Sequence, residues 1–131
     1  MSDSETVKST YAENLKKLDI MAHLEKNWDG YNADPIPLEV IDNALTLLNK
    51  VKDYNPNIFP TKADSVQFEW YNDKNEYLEV EVQCNGNATI FSTRNSHTVQ
   101  PETNVLYKEI PFDVIDIENY VKLFLNGELL I

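Results

Sequence analysis

Two segments in the middle of the chain alternate apolar and polar residues, and this two-residue period constrains the fold more than any other feature. In the first segment, residues 66–71, the apolar positions are Val66, Phe68 and Trp70. In the second, residues 77–84, they are Leu78, Val80, Val82 and Cys84. Successive side chains of a strand point to opposite faces, so both segments predict strands with one buried and one solvated face.

Turn residues extend this pattern into an antiparallel meander. The run Asn72-Asp73-Lys74-Asn75 joins the two strands, and Asn85-Gly86 is a strong hairpin signal. A third strand is predicted over residues 88–93, and a fourth over residues 105–110 after a polar loop. The sequence therefore predicts an antiparallel sheet of three to four strands.

Helical periodicity flanks the sheet at both ends. One helix is predicted over residues 4–26 and a second over residues 38–52, after two prolines that prevent an earlier start. Pro56 and Pro60 then predict a loop. Near the end of the chain, Asp113 predicts the N-cap of a third helix, and Gly127 its left-handed C-terminal cap.

The predicted order of elements is ααββββα, in one domain that spans residues 1–131. Two N-terminal helices, an antiparallel sheet and a C-terminal helix are typical of the α+β class. The helices are expected to cover the apolar face of the sheet. The polar face is then either solvated or covered by a partner. The apolar tail, residues 128–131, either docks on the core or contacts a second copy of the chain.

The charge balance excludes several classes of partner. The 131 residues include 22 acidic and 11 basic side chains, for a formal charge of −11. Nucleic acids and anionic membranes are bound by clustered lysine and arginine, so neither is an expected partner. Neither a transmembrane run of apolar residues nor a signal-peptide pattern is found. The single cysteine fits a reducing compartment, and the expected location is the cytoplasm.

The most distinctive motif is the segment Asn27-Trp28-Asp29-Gly30-Tyr31, between the first two predicted helices. Asp29 and Gly30 predict an Asx-type turn with Gly30 at positive φ. Trp28 and Tyr31 flank this turn, where they either plug the end of the core or bracket a ligand or partner. The core role is favoured, because large aromatic side chains mostly serve cores.

Carboxylates on the predicted strands form the second candidate surface. Glu69, Glu79 and Glu81 are expected on one face of adjacent strands, with Tyr71 beside them. They can form a solvated face that prevents aggregation, a docking face for a basic protein, or a metal or acid–base site. The solvated face is the simplest interpretation. Docking ranks above catalysis, because converging metal ligands are not predicted.

No catalytic constellation emerges from the remaining reactive residues. Cys84 is predicted to be buried on the apolar face of its strand, as a small hydrophobe and not a reactive thiolate. His23 and His97 have no partner at metal-ligand or nucleophile spacing. Motifs for nucleotide binding, zinc proteases and zinc fingers do not occur. We therefore predict no catalytic residue, no metal ligand and no cofactor.

Several motifs together resemble a group of small bacterial proteins of unknown function. Those proteins share a Trp-Asp-Gly-Tyr-x-Ala-x-Pro-Ile segment, matched here by residues 28–36, and a Leu-Glu-Trp strand, similar to Phe68-Glu69-Trp70. Pro60-Thr61 and Leu78-Glu79-Val80-Glu81-Val82 match further family segments, so the resemblance covers about residues 15–90.

This chain departs from the family pattern at two places. Pro37 stands where the family often has a helix-capping serine, and Asp64-Ser65 stands where it often has Asp-Gly-Gly. The second departure argues against a glycine-dependent ligand loop there. The resemblance supplies no activity, and it implies an accessory, antitoxin-like or other partner-binding role.

The sequence thus favours a non-enzymatic module that binds a basic protein. The alternatives are a carboxylate-dependent, metal-assisted or other enzyme and an acidic mimic of nucleic acid. The oligomeric state is left open, with a homodimer as one option. The candidate binding surface comprises Trp28, Asp29, Tyr31, Glu69, Tyr71, Glu79 and Glu81.

Overall fold

The computed structural model describes residues 10–93 and 105–128, which form three α-helices and five β-strands. In chain order the elements are α1 (Tyr11–Ala22), α2 (Leu38–Lys50), β1 (Asn57–Thr61), β2 (Ser65–Tyr71), β3 (Tyr77–Val82), β4 (Asn87–Thr93), β5 (Val105–Pro111) and α3 (Val114–Leu125). The strands form one antiparallel sheet in the order β1-β2-β3-β4-β5. The predicted α+β class is confirmed, although the sheet has five strands and not three to four. In the described ranges, no helix has the length and apolarity needed to cross a membrane.

The additional strand is β1, in the segment where Pro56 and Pro60 predicted a loop. β1 lies at one edge of the sheet and pairs with β2, with Asn57 opposite Glu69 and Thr61 opposite Ser65. Proline lacks an N–H donor. In a central strand every N–H pairs with a neighbouring strand, whereas in an edge strand only every second N–H does. Pro60 is therefore compatible with a strand here.

α1 is shorter than the helix predicted over residues 4–26. Thr10 caps its start, because the Thr10 hydroxyl accepts from the Glu13 N–H at 3.2 Å while the Glu13 carboxylate accepts from the Thr10 N–H at 2.8 Å. The helix ends at Ala22, where the His23 N–H turns back to the Ile20 carbonyl at 3.0 Å. The predicted residues 4–9 lie outside the described ranges.

α2 begins after the prolines, as predicted, and ends at Lys50. The Val51 N–H bonds to the Leu47 carbonyl at 2.9 Å, and Lys52–Tyr54 then form a short 3-10 helix. The predicted end, at residue 52, therefore lies two residues beyond the last residue of α2, Lys50. The left-handed Asn55, at φ +49, turns the chain toward β1.

α3 has the boundaries that the sequence predicts. The Asp113 carboxylate accepts from the N–H groups of Ile115 and Asp116 at 2.9 and 3.1 Å, which confirms the N-cap. Gly127 has φ +73, and the following Glu128 N–H bonds to the Leu123 carbonyl at 2.8 Å. This is the hydrogen-bond pattern of a left-handed C-terminal cap. The tail beyond residue 128 lies outside the described ranges.

The core lies between the helices and one face of the sheet. The register sets Phe68 opposite Val80 and Glu69 opposite Glu79, so apolar and polar side chains separate onto different faces. Nine apolar strand residues of this face are at most 3% exposed, and α1, α2 and α3 pack against the same cluster. The inward-facing residues include Ile58, Val66, Phe68, Trp70, Leu78, Val80, Val82, Ala88 and Ile90.

Cys84 is exposed, so the prediction that it is buried is wrong. β3 ends at Val82, and the Gln83 N–H closes the hairpin by bonding to the Asn87 carbonyl at 3.0 Å. Residue 84 therefore belongs to the turn, in which Gly86 has φ +84. The two-residue alternation of β3 does not extend to this position.

Candidate docking surface

The polar face of the sheet brings the predicted carboxylates together with aromatic side chains. One row across the strands runs Phe59, Gln67, Glu81, Thr89 and Glu109, and the next runs Asn57, Glu69, Glu79, Phe91 and Tyr107. Tyr71 and Tyr77 stand opposite each other beside the second row. We call these residues the acidic face.

The acidic face carries negative charge without compensating bases. Glu69, Glu79, Glu81 and Glu109 all point to this side, and none of its side chains in the described strands is a lysine or arginine. Most of these side chains are half-buried or exposed, because the helices pack on the opposite face. As far as residues 10–93 and 105–128 show, the face is therefore open and negatively charged.

Tyr77 lies between two of the glutamates. Its hydroxyl is 2.6 Å from Glu69 Oε2 and 2.9 Å from Glu79 Oε1. One hydroxyl hydrogen serves one acceptor at a time, so the two carboxylates share a single neutral donor. Burial, and then the hydrogen bonds to Glu69 and Glu79, raise the pKa of Tyr77 well above its ordinary value of 10.0. Tyr77 therefore stays protonated and supplies no charge to this face.

Glu81 is also held by neutral donors. The Ser65 hydroxyl donates to Glu81 Oε2 at 2.6 Å, and the Thr89 hydroxyl lies 3.4 Å from Glu81 Oε1. Hydroxyl donors orient the carboxylate and leave its charge in place. The acidic face is thus prearranged, with charge that remains available to a cationic partner.

Aromatic rings lie directly beside these carboxylates. The Tyr77 ring is 5.1 Å from that of Tyr71 and 6.3 Å from that of Phe91, measured between centroids. Tyr71 and Tyr107 are exposed. Large, half-exposed aromatic rings next to charge are common at the centres of protein interfaces.

A cavity of ≈ 300 Å³ opens at the edge of the acidic face, where β1 begins and β2 ends. Its wall combines the carboxyl-bearing Glu69 and Asp73 with Tyr54 and Tyr71. Carboxylates attract a cation, and aromatic faces stabilise it further. The cavity is therefore suited to a basic side chain.

The loop between α1 and α2 is closed by its own hydrogen bonds. Asp29 Oδ1 accepts from the N–H groups of Tyr31 and Ala33 at 2.8 and 3.1 Å, and Gly30 has φ +79. These bonds confirm the predicted Asx-type turn. Trp28 Nε1 donates to the Asp34 carbonyl at 2.8 Å, which ties the two ends of the loop together.

Protonation of Asp29 is expected to loosen this loop. The Tyr31 N–H, and secondarily that of Ala33, lower the pKa of Asp29 below its ordinary value of 3.8. A carboxylate with a depressed pKa stabilises the fold above the unfolded-state pKa, and this contribution is lost as pH falls through the folded-state value. The melting temperature of the wild type should therefore exceed that of Asp29→Asn at neutral pH, and the difference should shrink below pH 3.8. A difference that stays constant across this range would contradict the prediction.

Trp28 and Tyr31 differ in their surroundings. Trp28 is half-buried and packs against the core cluster, in agreement with the favoured core role. Tyr31 is 84% exposed, so the prediction that it plugs the core is wrong. Asp29 Oδ1 holds the Tyr31 N–H in the turn, and the left-handed Asn32, at φ +71, reverses the chain immediately after Tyr31. The Tyr31 side chain therefore lies in solvent at the outside of the turn.

Replacing Trp28 with alanine should destabilise the protein by about 2–3 kcal/mol, less than the 3–5 typical of a fully buried ring. The expected loss combines ring packing with the hydrogen bond from Nε1 to the Asp34 carbonyl. Trp28→Phe keeps most of the packing area and should cost less. Urea denaturation of both variants measures the two contributions. An unchanged midpoint for Trp28→Ala would show that the ring does not support the core.

The structure joins some of the predicted site residues and separates others. Glu69, Tyr71, Glu79 and Glu81 belong to one continuous surface, whereas Trp28, Asp29 and Tyr31 form a separate loop whose tryptophan packs on the helix side. Sequence reasoning missed Phe91, Tyr107 and Glu109, which reach this surface only through the pairing of β4 with β3 and β5.

The carboxylates do not converge as metal ligands do. In residues 10–93 and 105–128, no group of three or more histidine, cysteine, aspartate or glutamate side chains is arranged to hold a metal ion.

Comparison with known proteins adds no function: no family model, curated protein or solved structure matches this chain. The acidic face is thus the candidate site that the geometry supports best.

Proposed function

We propose that this protein is a non-enzymatic binding module whose acidic face docks a basic protein. The observation that carries the proposal is the open sheet face on which four glutamates lie among aromatic rings, without a described basic side chain. Complementary charge accelerates encounter and selects partners, and aromatic side chains provide the binding energy at the centre of an interface.

The contacts within the acidic face favour docking over a merely solvated surface. A solvated face needs charge but no aromatic cluster, whereas here Tyr77 contacts Glu69, Glu79 and the rings of Tyr71 and Phe91. The cavity beside Glu69 offers a place for a lysine or arginine side chain of the partner. The surface therefore combines general electrostatic attraction with one specific anchor point.

The two alternatives have less support. A carboxylate-dependent enzyme needs acidic groups that meet inside a cleft, whereas Glu69 and Glu79 meet at the Tyr77 hydroxyl on an open face. A mimic of nucleic acid would use the same negative charge, and its partner would be a DNA-binding protein. The resemblance to small bacterial proteins stays a prediction. On its basis we propose a bacterial protein with an accessory, antitoxin-like role, and the single cysteine agrees with a location in the cytoplasm.

Affinity capture with a matched pair of variants tests the proposal. The wild-type protein, immobilised and exposed to an extract of its source cells, should retain a specific basic protein that mass spectrometry identifies. The double variant Glu79→Lys/Glu109→Lys should lose this protein. Glu39→Lys, an exposed charge reversal on α2, should retain it. Recovery of no specific basic protein, or equal recovery by both variants, would refute the proposal.

A further inference from the structure

β5 ends the sheet with a free edge in the described part of the chain. It pairs with β4 on one side and has no strand on the other. The Phe112 N–H donates to the Gly86 carbonyl at 3.0 Å, so even-numbered residues of this strand direct their peptide groups to β4. Antiparallel ladders alternate strictly, so Val105, Tyr107 and Glu109 direct theirs outward.

Apolar side chains surround this edge. Tyr107 is 60% exposed and Val105 41% exposed on the side of the acidic face, and Leu123 of α3 is 41% exposed on the opposite side of the sheet. A cavity of ≈ 330 Å³ lies between β5 and α3, with Leu123 in its wall. A free strand edge with an apolar border is a template for pairing with another strand.

β5 carries two exposed charged side chains, of which Glu109 points to the acidic face and Lys108 toward α3. Lys108 does not extend past the edge, because its ammonium lies over the Tyr120 ring at 5.8 Å from the centroid. Pro111 removes an outward N–H only at the last position of the strand. Among the described residues, no strand covers the outward peptide groups of Val105, Tyr107 and Glu109.

We infer that a second copy of this chain pairs with β5, antiparallel, to form a homodimer with one continuous ten-stranded sheet. The two-fold axis is perpendicular to the sheet, so the residue on the axis stands opposite its own copy. Centring the axis on Tyr107 places Val105 opposite the Glu109 of the second copy, and Lys108 opposite its Leu106. All outward peptide groups from residue 105 to residue 109 then find partners.

The other registers are less favourable, and an axis at Leu106 would pair only residues 105–107 of the strand. An axis at Lys108 or Glu109 places like charges directly opposite each other, which destabilises a strand pair. An axis at Glu109 also sets Pro111 opposite Tyr107, where its missing N–H leaves the Tyr107 carbonyl unpaired. Tyr107 is therefore the centre of the inferred dimer.

Disulfide trapping tests the register. In a Cys84→Ser background, Tyr107→Cys should form a covalent dimer on mild oxidation, because opposed residues lie about 5.5 Å apart at Cα. Lys108→Cys should not, since the two copies of residue 108 would be about 8 Å apart on the diagonal. Trapping at residue 108 in preference to residue 107 would overturn the inferred register.

Analytical ultracentrifugation tests the dimer itself. The wild type should sediment with twice the monomer mass, and Tyr107→Pro should raise the dissociation constant about tenfold or more, because it removes an outward hydrogen bond from each copy at the axis. Tyr107→Lys should also dissociate the dimer by opposing two like charges. Ile20→Lys, at a residue on α1 that is likewise 60% exposed, is the matched control and should not. A wild type that stays monomeric at about 1 mM would overturn the inference.

Discussion

Replacing Phe68 with alanine is expected to lower the free energy of unfolding by about 3–5 kcal/mol. The Phe68 side chain is 0% exposed, in the middle of β2, and its ring stacks on that of Trp70 at a centroid distance of 6.1 Å. Truncation removes buried apolar area and leaves a void that rigid neighbours on α2 and β3 fill only in part. Urea denaturation, with the slope checked for two-state behaviour, measures the loss.

Phe91→Ala is the matched control for this variant. Phe91 lies on β4 and points to the acidic face, where it is half-buried against Tyr77. The same truncation should cost about 1–2 kcal/mol there, since less area is removed from water. Equal losses in the two variants would mean that both faces of the sheet are covered in solution, which contradicts the open acidic face.

The contrast between Phe68 and Phe91 shows which part of the fold is predictable from sequence. The alternation over residues 66–71 and 77–82 follows from strand geometry, so the inward positions of Phe68 and Val80 were predicted correctly. Helix caps are similarly local, and Asp113 and Gly127 lie where the cap rules place them. Local periodicity and local hydrogen bonds were sufficient for these features.

The errors occur where the surroundings override local preference. Pro60 argued against a strand, yet the edge position of β1 makes its missing N–H harmless. Cys84 continued the alternation of β3 in sequence, but the chain had already turned. Tyr31 was expected in the core and is exposed, because the Asx turn of Asp29 sets its direction. None of these outcomes follows from the residue alone.

The candidate site depends on register even more strongly. Glu69, Glu79 and Glu81 all have odd numbers in alternating segments, which predicts that they share one face of the sheet. The pairing of β2 with β3 confirms this prediction. The contact of Tyr77 with both Glu69 and Glu79 requires the pairing of β2 with β3 to be known residue by residue. A shift of that register would separate these groups, so sequence alone predicts the face but not its contacts.

Reversing two charges on the acidic face is expected to weaken binding of the proposed basic partner about 100-fold or more. Close charge pairs across protein interfaces show coupling energies of about 1.5 kcal/mol and upward, which is roughly tenfold for each pair. Glu79→Lys/Glu109→Lys introduces repulsion where attraction is proposed, and both positions lie on the solvated side of the sheet. Titration calorimetry with the purified partner measures the change, and Glu39→Lys should leave the affinity within about twofold.

The dependence of the dissociation constants on salt distinguishes this binding from self-association through β5. Docking of opposite charges weakens as ionic strength rises, because screening shortens the range of attraction. The inferred dimer joins two chains that each carry a formal charge of −11, so screening of their repulsion should tighten it. The partner's dissociation constant should therefore rise with salt while that of the homodimer falls. If both constants rise, the dimer depends on charge attraction and not on the apolar edge of β5; if both fall, the acidic face does not attract the partner electrostatically.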